Sequence, residues 1–415
     1  MVISFKNLFL SLAFIINSLC IFCNIPDYDI IVDGNGNADF KTISSAINSL
    51  PMYNYQRFVI YIKNGIYNEK FKIEQDYITL IGENPDSTII QYNQLRENWE
   101  KNKDPIGPAV INIFADDIIL KNLSIINTQH EIGPHAFCIY GTGTRTILLN
   151  CIVKTKGGDA VSLWNYKHGM YYHTNCHFEG AVDFVCPRGW CYINNSTFYE
   201  VRKTAAIWHA GITDKNQKLV IKNSHFDGVD GFKLGRHHYE AQFYLINCTF
   251  SKSMADIPIY RVTYPDKPEH NRPYFFGNRY YFYNCSKEDG NYTWYKNNLN
   301  ASDSLLTPEK ITPSWTFDNR WDPEKLTPPE LINYTIDSNN VIMEFSEILT
   351  VKGNLAFTTH SGSKLEYKMG KGSRRIMLIS DNIISNEDIE KGLLITSGEL
   401  IATLASVNKR TIKKL

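Results

Sequence analysis

The sequence predicts an all-β protein: a parallel β-helix with an N-terminal capping helix, followed by a small C-terminal β-sandwich. Seven short segments that begin with Asn recur between residues 122 and 287, and each follows a run of β-branched or aromatic residues. Aromatic residues make up 13% of the 415 residues, which suits wide β-sheet packing. The 43 basic and 43 acidic side chains cancel, so net charge gives no reason to expect nucleic acid or an anionic membrane as partner.

The first 23 residues have the pattern of a secretory signal peptide. Lys6 precedes an apolar run from Leu8 to Ile16, and Ser18-Leu-Cys20 offers a small-residue cleavage site. The run is too short to span a bilayer comfortably. We therefore expect a secreted or periplasmic protein without a membrane span, and association with the cell surface stays open.

A short amphipathic helix is predicted directly before the coils. Thr42 is a suitable N-cap, and Pro51 ends the segment. Between them, apolar residues fall at helical spacing: Ile43, Ala46, Ile47 and Leu50. Such a helix would cover the open end of a coil stack, where apolar surface and unpaired strand edges would otherwise be exposed.

The Asn segments predict one sharp corner per coil, because Asn tolerates the left-handed backbone conformation that such a corner needs. The corner residues are Asn122, Asn150, Asn175, Asn195, Asn223, Asn247 and Asn284. Cys follows four of them, at 151, 176, 248 and 285, and a small residue there fits a stacked interior position better than a disulfide framework. Cys186 and Cys191 are left open, as a pair or as free thiols.

Leu326-Thr-Pro-Pro329 reads as a stiff linker to a second domain. Short strands at roughly ten-residue spacing follow it: Val341–Phe345, Gly353–Phe357, Lys364–Tyr367 and Arg375–Ile379. This pattern is typical of a small β-sandwich. The predicted organisation is therefore a signal peptide over residues 1–23, a β-helix over 24–326 and an accessory sandwich over 331–415.

Three apolar, strand-like segments each contain one ionisable residue. Asp159 lies in Gly157–Leu163, Asp183 in Gly180–Val185, and Arg236 ends Leu234-Gly-Arg236. An unpaired charge in such a run would be costly, so the three side chains are predicted to form one site. A structural salt bridge between Asp183 and Arg236 is the alternative interpretation.

Several segments resemble the pectin methylesterase family of carbohydrate esterases. They are Asp33–Thr42, Ile62–Glu69, Thr79–Glu83 and, as the most specific signature, Gly180–Phe184 with Cys176 before it. The resemblance covers residues 29 to about 290 and favours a divergent, bacterial-type member. It implies a right-handed β-helix that hydrolyses methyl esters of galacturonan, acts without metal or cofactor, and is a monomer.

The resemblance also implies roles for the three charged residues. Asp183 matches the nucleophile that forms an aspartyl acyl-enzyme, Asp159 the general acid and then base, and Arg236 the residue that orients the nucleophile. We expect Arg236 to lower the pKa of Asp183, and burial near a like charge to raise the pKa of Asp159.

Departures from the family pattern mark a further set of candidates. The two usual oxyanion-binding glutamines are replaced by His135 and Gly158, and the loop that contains Trp164 is about three residues longer than usual. The predicted substrate-binding residues are His135, Trp164, Trp208, His209, His237 and His238. This altered groove suggests a branched or otherwise decorated uronan, such as a rhamnogalacturonan.

The sequence leaves two other functions open. The missing glutamines suit a catalytically impaired or purely glycan-binding protein. A polysaccharide lyase or hydrolase could share the fold, although a lyase would need a Ca²⁺-binding acidic cluster and a hydrolase closely paired acids. The sequence also leaves methyl and acetyl esters undistinguished.

Overall fold

The structure, a computed structural model, describes residues 28–415, so the signal peptide predicted over residues 1–23 lies outside the described residues. Between residues 30 and 287 the chain forms a right-handed parallel β-helix, as the repeat and the resemblance predict. Three parallel sheets run along it. Each coil contributes a strand to a sheet, and consecutive coils pair in register.

The first sheet has ten strands in the described part of the chain: Ile30–Val32, Phe58–Ile62, Ile78–Gly82, Ile119–Lys121, Thr146–Leu149, Met170–Thr174, Trp190–Asn194, Leu219–Lys222, Phe243–Ile246 and Tyr280–Tyr283. The second has nine: Gly65–Asn68, Thr88–Tyr92, Ser124–Asn127, Ile152–Lys154, His177–Gly180, Thr197–Glu200, His225–Gly228, Thr249–Phe250 and Ser286–Lys287.

The third sheet is split into two parts. Its strands are Phe71–Ile73, Ile111–Ile113, Ile139–Gly141 and Val161–Leu163, then Ala205–Trp208, Lys233–His237 and Tyr260–Arg261. Val185 forms single parallel bridges to Val161 on one side and to Ile207 on the other, which joins the two parts. The interruption therefore falls on the coil that contains Asp183.

The predicted corners between the first and second sheets have the predicted conformation. All seven asparagines have φ between 47° and 54°, in the left-handed region. Their side chains also bond along the stack, since Asn150 Nδ2 donates to Asn122 Oδ1 at 2.9 Å and Asn247 Nδ2 to Asn223 Oδ1 at 2.9 Å. The corner amides thus satisfy one another outside the core.

The capping helix spans Ile43–Asn48, and the Thr42 hydroxyl accepts a hydrogen bond from the Ser45 backbone N–H at 3.2 Å. The carboxylate of Glu69 receives the free N–H groups of Ile43 and Ser44 at 2.8 and 2.9 Å. The apolar helix face is buried against the first coils. The predicted cap is confirmed, and Glu69 adds an anion at the positive helix end.

Several strands of the first sheet are apolar on both sides for two reasons. Stacked Ile, Leu, Val and Phe side chains fill the interior, and the outer surface of the first sheet is covered by the segment from Leu299 to Trp321. This segment contains the short helix Pro313–Thr316 and the 3₁₀ turn Leu299–Ala301. Two further elements lie elsewhere, the helix Arg96–Lys101 and the 3₁₀ turn Pro268–His270.

The C-terminal segment forms an antiparallel sheet with its own apolar core. Its strands are Leu331–Asp337, Asn340–Thr359, Lys364–Met369, Ser373–Ser380, Leu393–Ala402 and Thr411–Ile412, and the helix Asn386–Glu390 lies between the last two long ones. Two predicted strands, 341–345 and 353–357, are one bent strand, which changes partners beyond residue 344. The sheet therefore folds over onto itself.

The cysteines of residues 28–415 are free thiols. Cys186 and Cys191 are unpaired, and the Cys186 Sγ lies 3.2 Å from Ser162 Oγ on the outer side of the third sheet. No helix in residues 28–415 has the length and apolar character needed to cross a membrane.

Candidate active site

Asp159 and Asp183 occupy equivalent positions on consecutive coils. The bridge between Val161 and Val185 sets the register, and neighbouring parallel strands are about 4.8 Å apart. Both residues line one groove on the outside of the third sheet. This is the same-face arrangement that the coil spacing predicts.

The backbone at both aspartates is in the left-handed region, with φ of 59° at Asp159 and 58° at Asp183. Val182 also has a positive φ, 42°, which a β-branched residue rarely adopts. The Val182 N–H donates to the Thr204 hydroxyl at 3.2 Å, and the Asp183 N–H to the Ala205 carbonyl at 2.7 Å. The next coil thus holds the Asp183 carboxyl in place on a strained turn, as is common at functional sites.

Arg236 reaches back across two coils to Asp183. Its Nε donates to Oδ1 at 2.9 Å, and its Nη2 to Oδ2 at 2.9 Å, which makes a bidentate pair. Arg236 pairs in register with Trp208 on the coil between them. The planar pair fixes the orientation of the Asp183 carboxylate.

The predicted sign of the Asp183 pKa shift is wrong. Burial raises the pKa of Asp183 to about 6, and the hydrogen bonds and charge of Arg236 offset this only in part. The nearby charge of Asp159 raises it further. Arg236 therefore limits an upward shift that desolvation dominates, where the sequence suggested a net decrease.

Burial also raises the pKa of Asp159, as predicted, whereas His135, Arg188 and Arg96 act in the opposite direction. The nearest of these is His135, whose Nε2 lies 3.7 Å from Asp159 Oδ1. Unlike Asp183, Asp159 has no bidentate arginine. A protonated Asp159 is consequently compatible with its surroundings.

His135 and Gly158 lie side by side on neighbouring coils, joined by a parallel bridge. A Cβ atom on residue 158 would approach the Val182 carbonyl oxygen at 3.0 Å and His135 Cδ2 at 3.4 Å. The imidazole therefore occupies part of the space beside a position that has no side chain. Its side chain is 49% exposed, so it is accessible from the groove.

The groove contains a cavity of about 630 Å³ around the two aspartates. The residues that line it are Arg96, His135, Asp159, Trp164, Asp183, Cys186, Arg188, Trp208, Arg236, His238, Tyr239, Tyr264, Glu269, His270 and Arg272. Four arginines and several aromatic rings thus surround two buried carboxyl groups. This composition suits a sugar chain that carries carboxyl groups.

Besides His135, three of the predicted substrate-binding residues line this cavity: Trp164, Trp208 and His238. The Trp208 Nε1 donates to His238 Nδ1 at 2.8 Å, and the His238 ring is stacked on Tyr264 with centroids 6.1 Å apart. These contacts hold the rings of Trp208 and His238 in one arrangement at the groove.

His209 and His237 do not reach the groove, which corrects the prediction that they bind substrate. His209 is fully buried, its Nε2 bonded to the Gly189 carbonyl and its Nδ1 to the Gln242 N–H. His237 is also fully buried, between the Tyr239 carbonyl and the Tyr280 hydroxyl. Burial lowers the pKa to about 3 at His209 and about 4 at His237, so both are neutral structural residues.

Sequence reasoning missed Arg96, Arg188 and the cavity residues of the 262–272 loop. Arg96 begins a helix with no clear sequence signal, and the loop has no regular pattern. Arg188 had a usable signal, since it follows Asp183 by five residues on the same coil and pairs with Ala210 on the next.

The pectinesterase family model matches residues 29–244, just over half of the chain. The chain belongs to the pectinesterase family. Two related Arabidopsis thaliana proteins are probable pectinesterase/pectinesterase inhibitor 58, 30% identical over 213 residues, and putative pectinesterase 11, 29% identical over 211 residues. The matches cover 49% and 48% of this chain, and 36% and 56% of those relatives.

Solved pectin methylesterases have the same fold. The enzyme from carrot superposes with a TM-score of 0.56 at 17% identity, over 71% of this chain and 94% of its own. The enzyme from Erwinia chrysanthemi gives 0.55 at 21% identity, over 72% and 98%. The bacterial-type assignment within the family stays a prediction.

Proposed function

We propose that the protein hydrolyses methyl esters of galacturonan through an acyl-enzyme on Asp183. The observation that carries the proposal is the buried Asp183 carboxylate, held by Arg236 in a bidentate pair next to Asp159 in an open groove. A purely structural ion pair would not require a second buried carboxyl group on the adjacent coil. Family membership supports the same reaction.

In the first half-reaction, the Asp183 carboxylate attacks the carbonyl carbon of the methyl ester. The tetrahedral intermediate collapses with breakage of the bond between the carbonyl carbon and the methoxy oxygen. Asp159 gives its proton to that oxygen, and methanol leaves. An anhydride between Asp183 and the uronate remains.

In the second half-reaction, Asp159 is ionised and removes a proton from a water molecule. The resulting hydroxide attacks the uronoyl carbon of the anhydride, and the bond to the Asp183 oxygen breaks. The product leaves as the uronic acid and gives its proton to solvent, Asp183 returns to its pair with Arg236, and Asp159 keeps the proton from the water molecule for the next cycle. Asp183 thus begins the cycle ionised and Asp159 begins it protonated, and their different environments favour these two roles.

The developing oxyanion needs a hydrogen-bond donor, and His135 is our candidate. Its exposed ring lies 3.7 Å from Asp159, at the position where the family usually has a glutamine. A neutral imidazole donates one N–H, provided that the proton is on the nitrogen that faces the substrate. Loss of one oxyanion donor typically costs about 10²–10³ in rate.

A product screen on the purified protein tests the proposal. Methylated pectin should release methanol at a rate that a chelator leaves unchanged, because every step above uses protein side chains only. Unsaturated products would instead identify a lyase, and new reducing ends a hydrolase. Acetylated but unmethylated pectin separates a methyl esterase from an acetyl esterase.

A glycan-binding protein without activity is the second candidate, because Gly158 supplies no side-chain donor at the oxyanion position. Binding of pectin fragments without any methanol release would favour it. The same assay should compare linear methylated pectin with rhamnogalacturonan. We propose a preference for the decorated polymer, and equal rates on both would contradict that preference.

We also propose that residues 1–23 direct the protein out of the cytoplasm and that the mature protein is a monomer. The apolar run behind Lys6 supports export. Sequencing the N-terminus of the exported protein tests the cleavage, and a sedimentation experiment tests the oligomeric state. A mature chain that still began at Met1 would contradict the signal peptide.

A further inference from the structure

The proposed reaction does not use Arg188, a buried cation in the groove. It lies on the same coil as Asp183, and its backbone N–H donates to the Leu163 carbonyl at 2.9 Å on the coil before. The side chain lines the cavity that contains Asp159 and Asp183. Only 8% of the residue is exposed.

The charge of Arg188 has no carboxylate partner within 4 Å in the described chain, unlike that of Arg236. One Nη1 hydrogen bond goes to the Cys186 carbonyl, and the buried Nε has no hydrogen-bond partner. Asp159 offsets part of the cost of burying this charge without forming an ion pair with it, and a buried donor without an acceptor, such as the Nε, remains costly. An anion that binds beside it recovers part of this cost.

Two indole rings fix the position of this cation. The Arg188 Cζ lies 4.5 Å from the centre of the Trp164 ring and 4.3 Å from that of Trp208. Cation–π contacts of this kind stabilise the charge but leave the edge of the guanidinium plane available for hydrogen bonds. The arginine is thus oriented before any ligand binds.

We propose that Arg188, clamped between Trp164 and Trp208, binds a carboxyl group of the uronan substrate. The proposal rests on the proposed function for the class of substrate. Two rival ligands are less suitable: a neutral sugar has no anionic group to pair with the guanidinium, and a bulky aromatic ligand would compete with the two indoles. A planar carboxylate matches the fork of the guanidinium.

The anionic oxygen can come from two sources. It belongs either to the ester under attack, which becomes negative in the tetrahedral intermediate, or to the free carboxylate of a neighbouring sugar. Arg188 lines the same cavity as Asp159 and Asp183, so either source can lie within its reach. The experiments below separate these sources.

The first experiment measures binding of unesterified trigalacturonate by the fluorescence of the wild-type protein, in which Trp164 and Trp208 flank the proposed site. Arg188→Gln should weaken binding about 10- to 100-fold, the usual effect of losing a charged hydrogen bond. Arg188→Lys keeps the charge without the forked guanidinium, so its affinity for trigalacturonate should lie between those of the wild type and Arg188→Gln. Lys167→Gln removes an exposed positive charge from the neighbouring loop and should change binding less than twofold.

Neutral galactotriose, which lacks the carboxyl groups, is the ligand control. If Arg188→Gln leaves trigalacturonate binding unchanged, or weakens both ligands equally, the proposal is overturned. Thermal unfolding checks that each variant folds. If Arg188→Gln does not fold, Trp164→Leu removes one side of the clamp, and unchanged trigalacturonate binding in that variant overturns the proposal as well.

The second experiment compares methanol release from a fully methylated trigalacturonate and from one with free carboxylates beside the ester. A lower kcat of Arg188→Gln than of the wild type on both substrates assigns Arg188 to the reacting carboxyl group. A rise in KM on the second substrate alone assigns it to a neighbouring uronate. If the wild type releases no methanol, the proposed function fails, yet the binding experiment still decides the role of Arg188.

Discussion

At Asp183, burial and an ion pair act on one carboxyl group in opposite directions. Desolvation raises its pKa to about 6, and the bidentate contact with Arg236 prevents a larger rise. The side chain is therefore ionised at neutral pH but is poorly solvated. A carboxylate in this state is a better nucleophile than one that water stabilises fully.

This balance predicts the acid side of the pH profile. Because Asp183 must be ionised to attack, kcat/KM should rise with pH, with a midpoint near 6. Arg236→Gln removes the group that opposes desolvation, so the midpoint of its residual activity should move to higher pH. A profile of methanol release against pH measures both, and an unchanged midpoint in the variant would refute the role given to Arg236.

His135 offers a test of oxyanion binding. His135→Ala should lower kcat by about 10²-fold or more and change KM little, because a transition-state donor contributes mainly to the rate. His130→Ala, a change in the exposed loop nearby, is the matched control. An effect confined to KM would mean that His135 only lines the groove.

Strand alternation explains which histidine predictions failed. Successive side chains of a strand point to opposite faces, so Trp208 and His209 cannot both face the groove, nor can Arg236 and His237. Trp208 and Arg236 are the members that do. Strand alternation can be applied to the sequence alone. The position of Arg96 cannot be predicted in this way, because it depends on a helix that no sequence pattern indicates.

Within each coil, the corner asparagine adopts the left-handed backbone conformation, and its side-chain amide can also form hydrogen bonds with asparagines of neighbouring coils. Asn223, for example, has φ of 49°, donates to Asn194 and accepts from Asn247. The sequence predicted these corners because the left-handed conformation restricts the residue type. It did not predict that residues 340–359 form one strand, because a bend within a strand and a turn between two strands both tolerate Gly353.

Asn223→Ala should lower the free energy of unfolding by about 1–2 kcal/mol, since a Cβ residue other than Asn or Asp is disfavoured at this φ. Asn223→Gly keeps the conformation and loses only the exposed amide bonds, so its cost should be smaller. Urea unfolding measures both, with Asn216→Ala in an exposed loop as control. Equal losses for Ala and Gly would show that the ladder, and not the backbone, dominates.

Across the whole molecule, the C-terminal sheet is joined to the β-helix through buried polar contacts. Arg57 Nε donates to the Thr403 carbonyl at 3.0 Å, and the Ala405 N–H donates to Asp117 Oδ1 at 2.9 Å. Trp321 Nε1 donates to the Ala405 carbonyl at 2.8 Å. None of these residues lines the groove, so we expect a structural role for the C-terminal segment.

Removal of residues 331–415 should therefore lower the midpoint of thermal unfolding, because Arg57 loses its bond to the Thr403 carbonyl and Asp117 loses the one from the Ala405 N–H. Hydrophobic-dye binding should increase as the covered surface becomes exposed. Where the shortened protein is still folded, its KM should be unchanged. An unfolding midpoint equal to that of the full chain would contradict this account of the interface.

The central claim is that Asp183 attacks a methyl ester, and methanol release by Asp183→Asn tests it most directly. Asn preserves the size of the side chain but has no carboxylate, so we expect release to fall to background while the unfolding midpoint shows a folded protein. Asp227→Asn, on the outer surface of the second sheet, should keep wild-type activity. Substantial methanol release by folded Asp183→Asn would contradict the claim.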